Sequence, residues 1–240
     1  MKIIDIIIPA HNEEKIIESS LKYLYSYLKK IKNSRWRVII GENGSTDNTF
    51  KLAKQLTKKF PNLYALHIDE ASRDGVLKSL WARSNADVLA YMDADMSTHP
   101  KHINEMINAI FEGYDVAVGS RLHPKSKLKR SFIRKTMSKI YHLILLPIIL
   151  PIGVHDAQCG FKAINQKVSK EIVHKLIKEN GFFDTELLAV SHYKKYKVKE
   201  IPVEWNESER ESTMNVYKNV PKFLRNIVKT RFKIINGYYD

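Results

Sequence analysis

A single α/β domain on a mostly parallel sheet is predicted by three observations. Short apolar runs alternate with amphipathic stretches through residues 1–120, which is the pattern of βαβ units. A chain of 240 residues holds one large domain and not two comfortable ones. No internal repeat, low-complexity tract or Gly/Ser linker divides it. Ordinary proportions of hydrophobic (44%) and charged (28%) residues exclude a disordered chain.

The elements follow in order. Ile3–Ile8 reads as a buried strand, and Glu14–Lys30 as a helix with Ile17, Leu21, Leu24 and Leu28 on one face. Arg37–Ile40 is the second strand, and Asp47–Lys59 a helix capped by Ser45, Thr46 or Asp47. Leu63–Ile68 is a third strand, Gly75–Arg83 a helix and Asp87–Met92 a fourth strand. Pro100–Phe111 is a helix with proline in a tolerated first-turn position, and Val116–Gly119 a short strand. Beyond residue 120 the pattern loosens. Helices are predicted over Ser131–Leu146, Lys167–Lys178, Asp184–Tyr193 and Pro221–Ile235, with a strand over Lys197–Val203 and a polar loop over Asn206–Asn215.

The single cysteine, Cys159, excludes an intramolecular disulfide, fits a reducing compartment and reads as core packing. The N-terminal strand carries Asp5 and is too short for a signal peptide. The longest apolar run, Leu143–Ile152, holds two prolines and falls short of the ~20 residues of a spanning helix. The expectation is a cytoplasmic protein, peripheral on the cytoplasmic face of a membrane. A formal net charge of +14 demands an anionic partner or a solvated basic surface. The charge concentrates at 122–142 and 218–233, two stretches without Asp or Glu. Nucleic acid is excluded as the partner, because the aromatic-basic interleaving of common RNA-binding modules is missing. For the last helix two readings stand: an interfacial helix with Lys222, Arg225, Lys229 and Lys233 along one side, or an apolar stripe spent on ordinary core.

Ligands of open α/β sheets sit at the carboxyl ends of strands, and three polar motifs fall at such ends. The first strand runs into Pro9-Ala10-His11-Asn12-Glu13, the second into Glu42-Asn43-Gly44-Ser45-Thr46-Asp47, and the fourth into Asp93-Ala94-Asp95. Two carboxylates spaced by one residue repel each other unless a cation lies near. Their hard oxygens suit Mg²⁺ or Mn²⁺, which also takes oxygens from a diphosphate. The second motif reads both as a turn with a helix cap and as a polar edge for a nucleotide base.

Together these motifs resemble the inverting family 2 glycosyltransferases, enzymes of the GT-A (Rossmann-like) fold that use nucleotide diphosphate-sugars. The resemblance continues through Gly119-Ser120-Arg121, Asp156-Ala157-Gln158-Cys159-Gly160-Phe161-Lys162 and Phe182-Phe183-Asp184-Thr185-Glu186, over about residues 3–205. These later segments are most similar to the dolichyl- and polyprenyl-phosphate glucosyl- and mannosyltransferases. The resemblance implies a nucleotide-sugar half at 1–120 and an acceptor half at 121–240. Pro9, Ala10, Asn12 and Glu13 border the nucleotide, with Glu42, Asn43 and Gly44 near its base. Asp93, Ala94 and Asp95 serve metal and diphosphate. Arg73 and Lys78 stand where relatives have a glycine-rich basic loop, although only Gly75 remains there and Asp74 adds an unhelpful negative charge. Ser97 stands where relatives often place a glutamine as a further metal-side ligand.

Gln158 is expected at the donor sugar and Arg121 at the acceptor phosphate. Arg134 and Ser138, four apart and so on one helix face, are expected to form a second phosphate clamp. Asp156 and Asp184 are the remaining candidate catalytic carboxylates. The implied reaction moves a hexose from UDP-glucose or GDP-mannose to polyprenyl or dolichyl phosphate, an acceptor already anionic and needing no base. The alternative acceptor is a glycan or small-molecule hydroxyl, for which Asp156 or Asp184 is the general base.

Overall fold

The computed structural model describes residues 1–31, 34–70, 72–129, 146–178, 181–206 and 216–240. Their order is β1 (Lys2–Ala10), α1 (Ile17–Leu28), β2 (Ser34–Glu42), α2 (Thr49–Leu56), β3 (Leu63–His67), α3 (Arg73–Arg83) and β4 (Val88–Met92). A 3-10 turn, Pro100–His102, leads into α4 (Ile103–Phe111), then β5 (Val116–Ser120), β6 (Lys127–Lys129) and the single turn α5 (Leu146–Ile149). The chain closes with β7 (Phe161–Asn165), α6 (Gln166–Ile172) with a 3-10 turn at Val173–Lys175, α7 (Phe183–Tyr193), β8 (Val198–Pro202), β9 (Glu204–Asn206) and α8 (Val216–Ile235).

The main sheet runs β3-β2-β1-β4-β7-β5-β8, and β6 pairs with β9 in a small second sheet. Every pairing of the main sheet is parallel except those of β7, which lies antiparallel between β4 and β5. The sequence pattern missed β7. Its five residues hold Lys162, a residue type that ordinarily marks a solvated position, yet this lysine is fully buried. Strand β7 also carries the sheet across residue 120, so the second half of the chain builds part of the first half's floor.

Alternation along the strands sorts two cores onto the two faces. Ile4, Ile6 and Ile8 of β1, with Val88, Ala90 and Met92 of β4, join the core under α1, α2 and α4. Ile7, Leu89 and Tyr91 point the other way, into the core of α3, α6, α7 and α8. The aspartate within β1 is satisfied: Asp5 is 1% exposed and accepts Arg37 Nε at 2.6 Å, Arg37 Nη2 at 2.8 Å and Ser84 Oγ at 2.6 Å. Close approach of α3 to β2 uses Gly41, where a Cβ would lie 2.5 Å from Val76 Cγ1.

Several boundaries differ from the sequence reading for local reasons. The cap position of α2 is Asn48, whose side chain makes no capping bond; Asp47 instead accepts from Thr49 N–H at 2.9 Å. Helix α3 begins two residues earlier than its pattern, because Ser72 Oγ caps Gly75 N–H at 3.1 Å. The helix expected over Lys167–Lys178 is α6 followed by a 3-10 turn that ends at Lys175. The helix expected at Ser131–Leu146, with Arg134 and Ser138, lies outside the described residues but for its last position. So does nearly all of the polar loop at Asn206–Asn215.

His102 joins α4 to the small sheet. Its Nε2 accepts the Glu204 N–H at 3.0 Å, a role open only to the neutral ring. Burial, reinforced by Lys101, pushes its pKa from 6.5 to about 4. The folded state therefore binds fewer protons than the unfolded chain between these values, so stability falls as pH drops from about 6.5 towards about 4. His102→Gln, which keeps an acceptor and cannot charge, is expected to flatten that part of the urea-denaturation pH profile.

Candidate functional site

The polar motifs meet along one edge of the sheet because β1 lies between β2 and β4 and runs parallel to both. Ala10 is in register with Glu42, and Ile7 with Tyr91. Two residues beyond that last pair, Pro9 comes level with Asp93. Glu13 lies just after this edge and donates its amide to Thr49 Oγ1 at 2.7 Å.

At the β1–β2 side, Asn12 adopts a left-handed conformation, φ 56°, which asparagine tolerates better than most residues. Its Oδ1 accepts Thr46 N–H at 2.8 Å and its own amide donates to Ser45 Oγ at 3.1 Å, tying the two motifs together. Glu42 is buried and accepts Ser45 N–H at 2.6 Å and His67 Nδ1 at 2.7 Å. Burial alone would raise its pKa; the His67 and Ser45 bonds outweigh that and hold the carboxyl below its ordinary value. Asn43 is buried, its carbonyl bonded to His11 Nδ1 at 2.7 Å, and Gly44 takes φ 61° in the turn.

At the tip of β4, Asp93 keeps a side chain 42% exposed and accepts Arg73 Nε at 3.0 Å. Lost hydration, opposed by Arg73 and reinforced by the charge of Asp95, raises its carboxyl above the usual range. Behind Asp93 stands Gly160, whose carbonyl accepts the Asp93 N–H at 3.2 Å. A Cβ on Gly160 would fall 1.7 Å from Asp93 Oδ2. Asp95 folds back on Ser97, accepting its N–H at 2.9 Å and its Oγ–H at 2.7 Å. No ion pair engages Asp95 among the described residues, nor do three or more His, Cys, Asp or Glu side chains gather there into a cage. Two carboxylates with an open side suit Mg²⁺ or Mn²⁺, ions that typically complete their shell with water and substrate phosphate.

Beneath Asp93 lies a buried charge cluster. Asp184, at the start of α7, accepts Lys162 Nζ at 2.9 Å, Arg73 Nη1 at 3.2 Å and the Tyr91 hydroxyl. Tyr91 and Lys162 are cross-strand partners of β4 and β7 on the face that α3 and α7 cover, which is why they converge. Lys162 also donates to the Cys159 carbonyl at 2.7 Å. Burial would raise Asp184, yet Lys162 and Arg73 prevail and keep it below the usual carboxylate range. Asp74 is buried, meets Arg73 Nη1 at 3.5 Å through one carboxylate oxygen, and with the other accepts the Phe182 and Phe183 N–H groups at 3.1 and 3.2 Å. Its charge thus satisfies the first turn of α7, and burial lifts its pKa to about 6.

The acceptor-side residues form a second pair. Arg121 gives Nε to Asp156 at 2.7 Å and Nη2 at 2.9 Å, and its backbone N–H adds a bond at 3.0 Å. Asp156 also accepts Gln158 N–H at 3.0 Å, and the Arg121 guanidinium stands 5.8 Å from the Trp205 ring. The fork expected to grip a phosphate is therefore engaged by Asp156. Lys78 stays apart from the Asp93 cluster, its ammonium bonded to the Leu176 carbonyl. Cys159 is buried against Thr98 Oγ1 at 3.7 Å, and burial pushes its thiol to about 12, consistent with packing. Gly160, Lys162, Tyr91 and His67 escaped individual notice in the sequence. Gly160 and Lys162 were named only as members of the Asp156–Lys162 motif, with no role of their own, and a lysine inside the apolar run after Cys159-Gly160 was a further signal.

Residues 5–173 match the model of the family described as glycosyl transferase family 2. The chain is 26% identical over 234 residues to glycosyltransferase AglD of Haloferax volcanii, covering 96% of this chain and 37% of that protein. It is 30% identical over 218 residues to dolichyl-phosphate beta-glucosyltransferase ALG5D of Trichomonas vaginalis, covering 86% of this chain and 66% of that one. It thus spans less than two thirds of the length of both relatives. In fold it is similar to glucosyl-3-phosphoglycerate synthase from Mycobacterium tuberculosis, solved with Mn²⁺, uridine diphosphate and phosphoglyceric acid. That likeness has a TM-score of 0.69 at 15% identity and covers 97% of this chain and 78% of that one. With its GT-A sheet and with the family's pattern matched over most of its length, this chain belongs to glycosyl transferase family 2.

Proposed function

We propose that the chain is an inverting hexosyltransferase that moves glucose or mannose from UDP-glucose or GDP-mannose to dolichyl or another polyprenyl phosphate. The observation that carries this reading is the contrast between its carboxylates. Asp95 has no ion pair among the described residues and Asp93, though paired with Arg73, keeps its side chain 42% exposed, whereas Asp156 and Asp184 are both buried against cations. A carboxylate held by Arg121, or by Lys162 and Arg73, is a poor proton acceptor. The site therefore suits a nucleophile that arrives already ionised, and a phosphate monoester is one. The relatives named as dolichyl-phosphate beta-glucosyltransferases support the same acceptor.

In this reading Asp93 and Asp95 hold Mg²⁺ or Mn²⁺, which supplies charge neutralisation for the departing diphosphate. Asn12, Glu13, Glu42 and the turn at Asn43–Gly44 border the nucleotide, and Gln158 reaches the sugar. Arg73, poised on Asp93, is within reach of the same phosphates. An acceptor phosphate oxygen forms its bond to the anomeric carbon as the bond to the diphosphate breaks on the opposite face. The nucleoside diphosphate leaves with that electron pair, and no proton is transferred. Arg121 orients the acceptor through its remaining N–H and through the Asp156 loop it anchors. Arg134 and Ser138 remain proposed acceptor contacts on the sequence pattern alone. The partners are thus a nucleotide-sugar and a lipid phosphate at the cytoplasmic face of a membrane, with the protein peripheral to it.

The direct test is a panel of nucleotide-sugars with and without Mn²⁺, read by thermal shift, followed by transfer to a short polyprenyl phosphate. Labelled lipid phosphate is the expected product. Label found only on a glycan or sugar alcohol would favour the hydroxyl-acceptor alternative. Asp95→Asn should lower turnover on the order of 10²- to 10³-fold while circular dichroism stays unchanged. Gly160→Ala should push the Asp93 carboxylate aside and cost about 100-fold in kcat/KM, with Mn²⁺ dependence shifted to higher concentration. Asp184→Asn, which strands the Lys162 ammonium in the core, should destabilise the fold by roughly 3–5 kcal/mol in urea denaturation.

A further inference from the structure

Helix α8 shows two apolar faces, of which the fold uses one. Ile227 and Ile234 are buried, with Asn226 and Thr230 on the same side, and Phe223 packs against their core. Leu224, Val228, Phe232 and Ile235 are instead 39%, 45%, 61% and 65% exposed. At the helical advance of about 100° per residue, these four side chains fall within an arc of roughly 80°. Core demand does not explain them, because the core is served by the neighbouring face.

The surroundings of the stripe say what it fits. From Pro221 to Ile235 the helix carries Lys222, Arg225, Lys229, Arg231 and Lys233 and no acidic residue. Arg225 and Lys229 follow the stripe on its solvent side, and Arg231 borders it on the core side; all three are exposed. The turn α5 packs against α8 and exposes Ile148 at 76%, and beyond the end of α8 Tyr238 is 50% exposed. An apolar band edged on both sides by long cationic side chains matches a layer with hydrocarbon beneath anionic headgroups. Arginine and lysine then lay their stems along the apolar zone and keep their charges at the phosphates.

We infer that α8 is a membrane-docking helix that seats Leu224, Val228, Phe232 and Ile235 in the acyl boundary of an anionic bilayer. The occupant is a lipid surface rather than a protein groove, since Arg225 and Lys229 on one side of the stripe and Arg231 on the other complement anionic headgroups. No described helix is long and apolar enough to cross a membrane, and the exposed stripe runs along the axis of α8, so the proposed docking lays the helix parallel to the surface. It rests on the lipid-acceptor reading only for its purpose, because docking brings the strand-edge site to the plane where a lipid phosphate lies.

The test is flotation of the full chain with vesicles of phosphatidylcholine alone or mixed with phosphatidylglycerol, at low and high salt. Expected is binding to the anionic vesicles that weakens with salt. Val228→Ser/Phe232→Ser should reduce partitioning by at least about tenfold. Arg225→Gln/Lys229→Gln should reduce both the binding and its salt dependence. Nucleotide-sugar binding by thermal shift should survive in every variant, which keeps this result separate from the fate of the transferase reading. The inference is overturned if anionic vesicles fail to float the wild-type protein at low salt. It is also overturned if light scattering finds a dimer that Phe232→Ser dissolves while vesicle binding is unchanged.

Discussion

Asp184 is a carboxylate taken out of water, and its neutralisation organises the region around the site. A lone buried charge of this kind would cost several kcal/mol, so the fold must bring it cations. It brings Lys162 from β7, and from the first half of the chain Arg73 of α3 and the Tyr91 hydroxyl of β4. Once Arg73 is committed to Asp184, its remaining fork reaches Asp93. A structural ion pair thereby sets the position of a cation beside the proposed metal ligands. The same helix α3 sends Asp74 into the start of α7, so both ends of the arrangement are locked by the packing of two helices.

The site above this cluster is built by close approach more than by ornament. Asp93 can stand where it does because Gly160 leaves room and offers its carbonyl. Asn12 accepts a left-handed backbone, and its amide side chain stitches the end of β1 to the turn after β2. Both devices place polar groups at the carboxyl edge without disturbing the strands that deliver them. The Arg121–Asp156 pair does the same on the other side of β7, where Asp156 also receives the Gln158 amide. Charge in this protein is thus sorted into two roles. Paired and buried, it shapes the floor; at the rim, Asp93 stays 42% exposed beside Arg73, where the proposed ligand would bind.

The excess positive charge of the chain takes on a location as well. Along α8 it borders an apolar stripe that the core does not use, while Glu186 draws Lys233 inward at 3.3 Å and Tyr239 closes over the same carboxylate. The helix is anchored to α7 on one side and presents its other side outward. Of its two readings from sequence, the core reading holds for the face of Ile227 and Ile234, and the exposed face is the one proposed to meet a membrane.

The α/β class, the parallel strands from β1 to β5 and the three motifs at their ends were legible in the sequence. Each depends on local rules: alternation of apolar residues, strand length, and turn residues that follow a strand. What stayed hidden was everything that pairs residues distant in the chain. Strand β7 looked unlike a strand because Lys162 breaks the apolar run, and only the arrival of Asp184 makes that lysine a core residue. Asp74 looked like an intruder in a phosphate loop, and the packing of α3 against α7 turns it into a cap. Arg121 read as a phosphate fork in the sequence, and the fold adds a bidentate bond from it to Asp156. The sequence by itself thus determined which residue types stand at the sheet edge. Tertiary structure decided which of those charges are spent on one another, because desolvation forces a buried charge to find its partner wherever the fold supplies one.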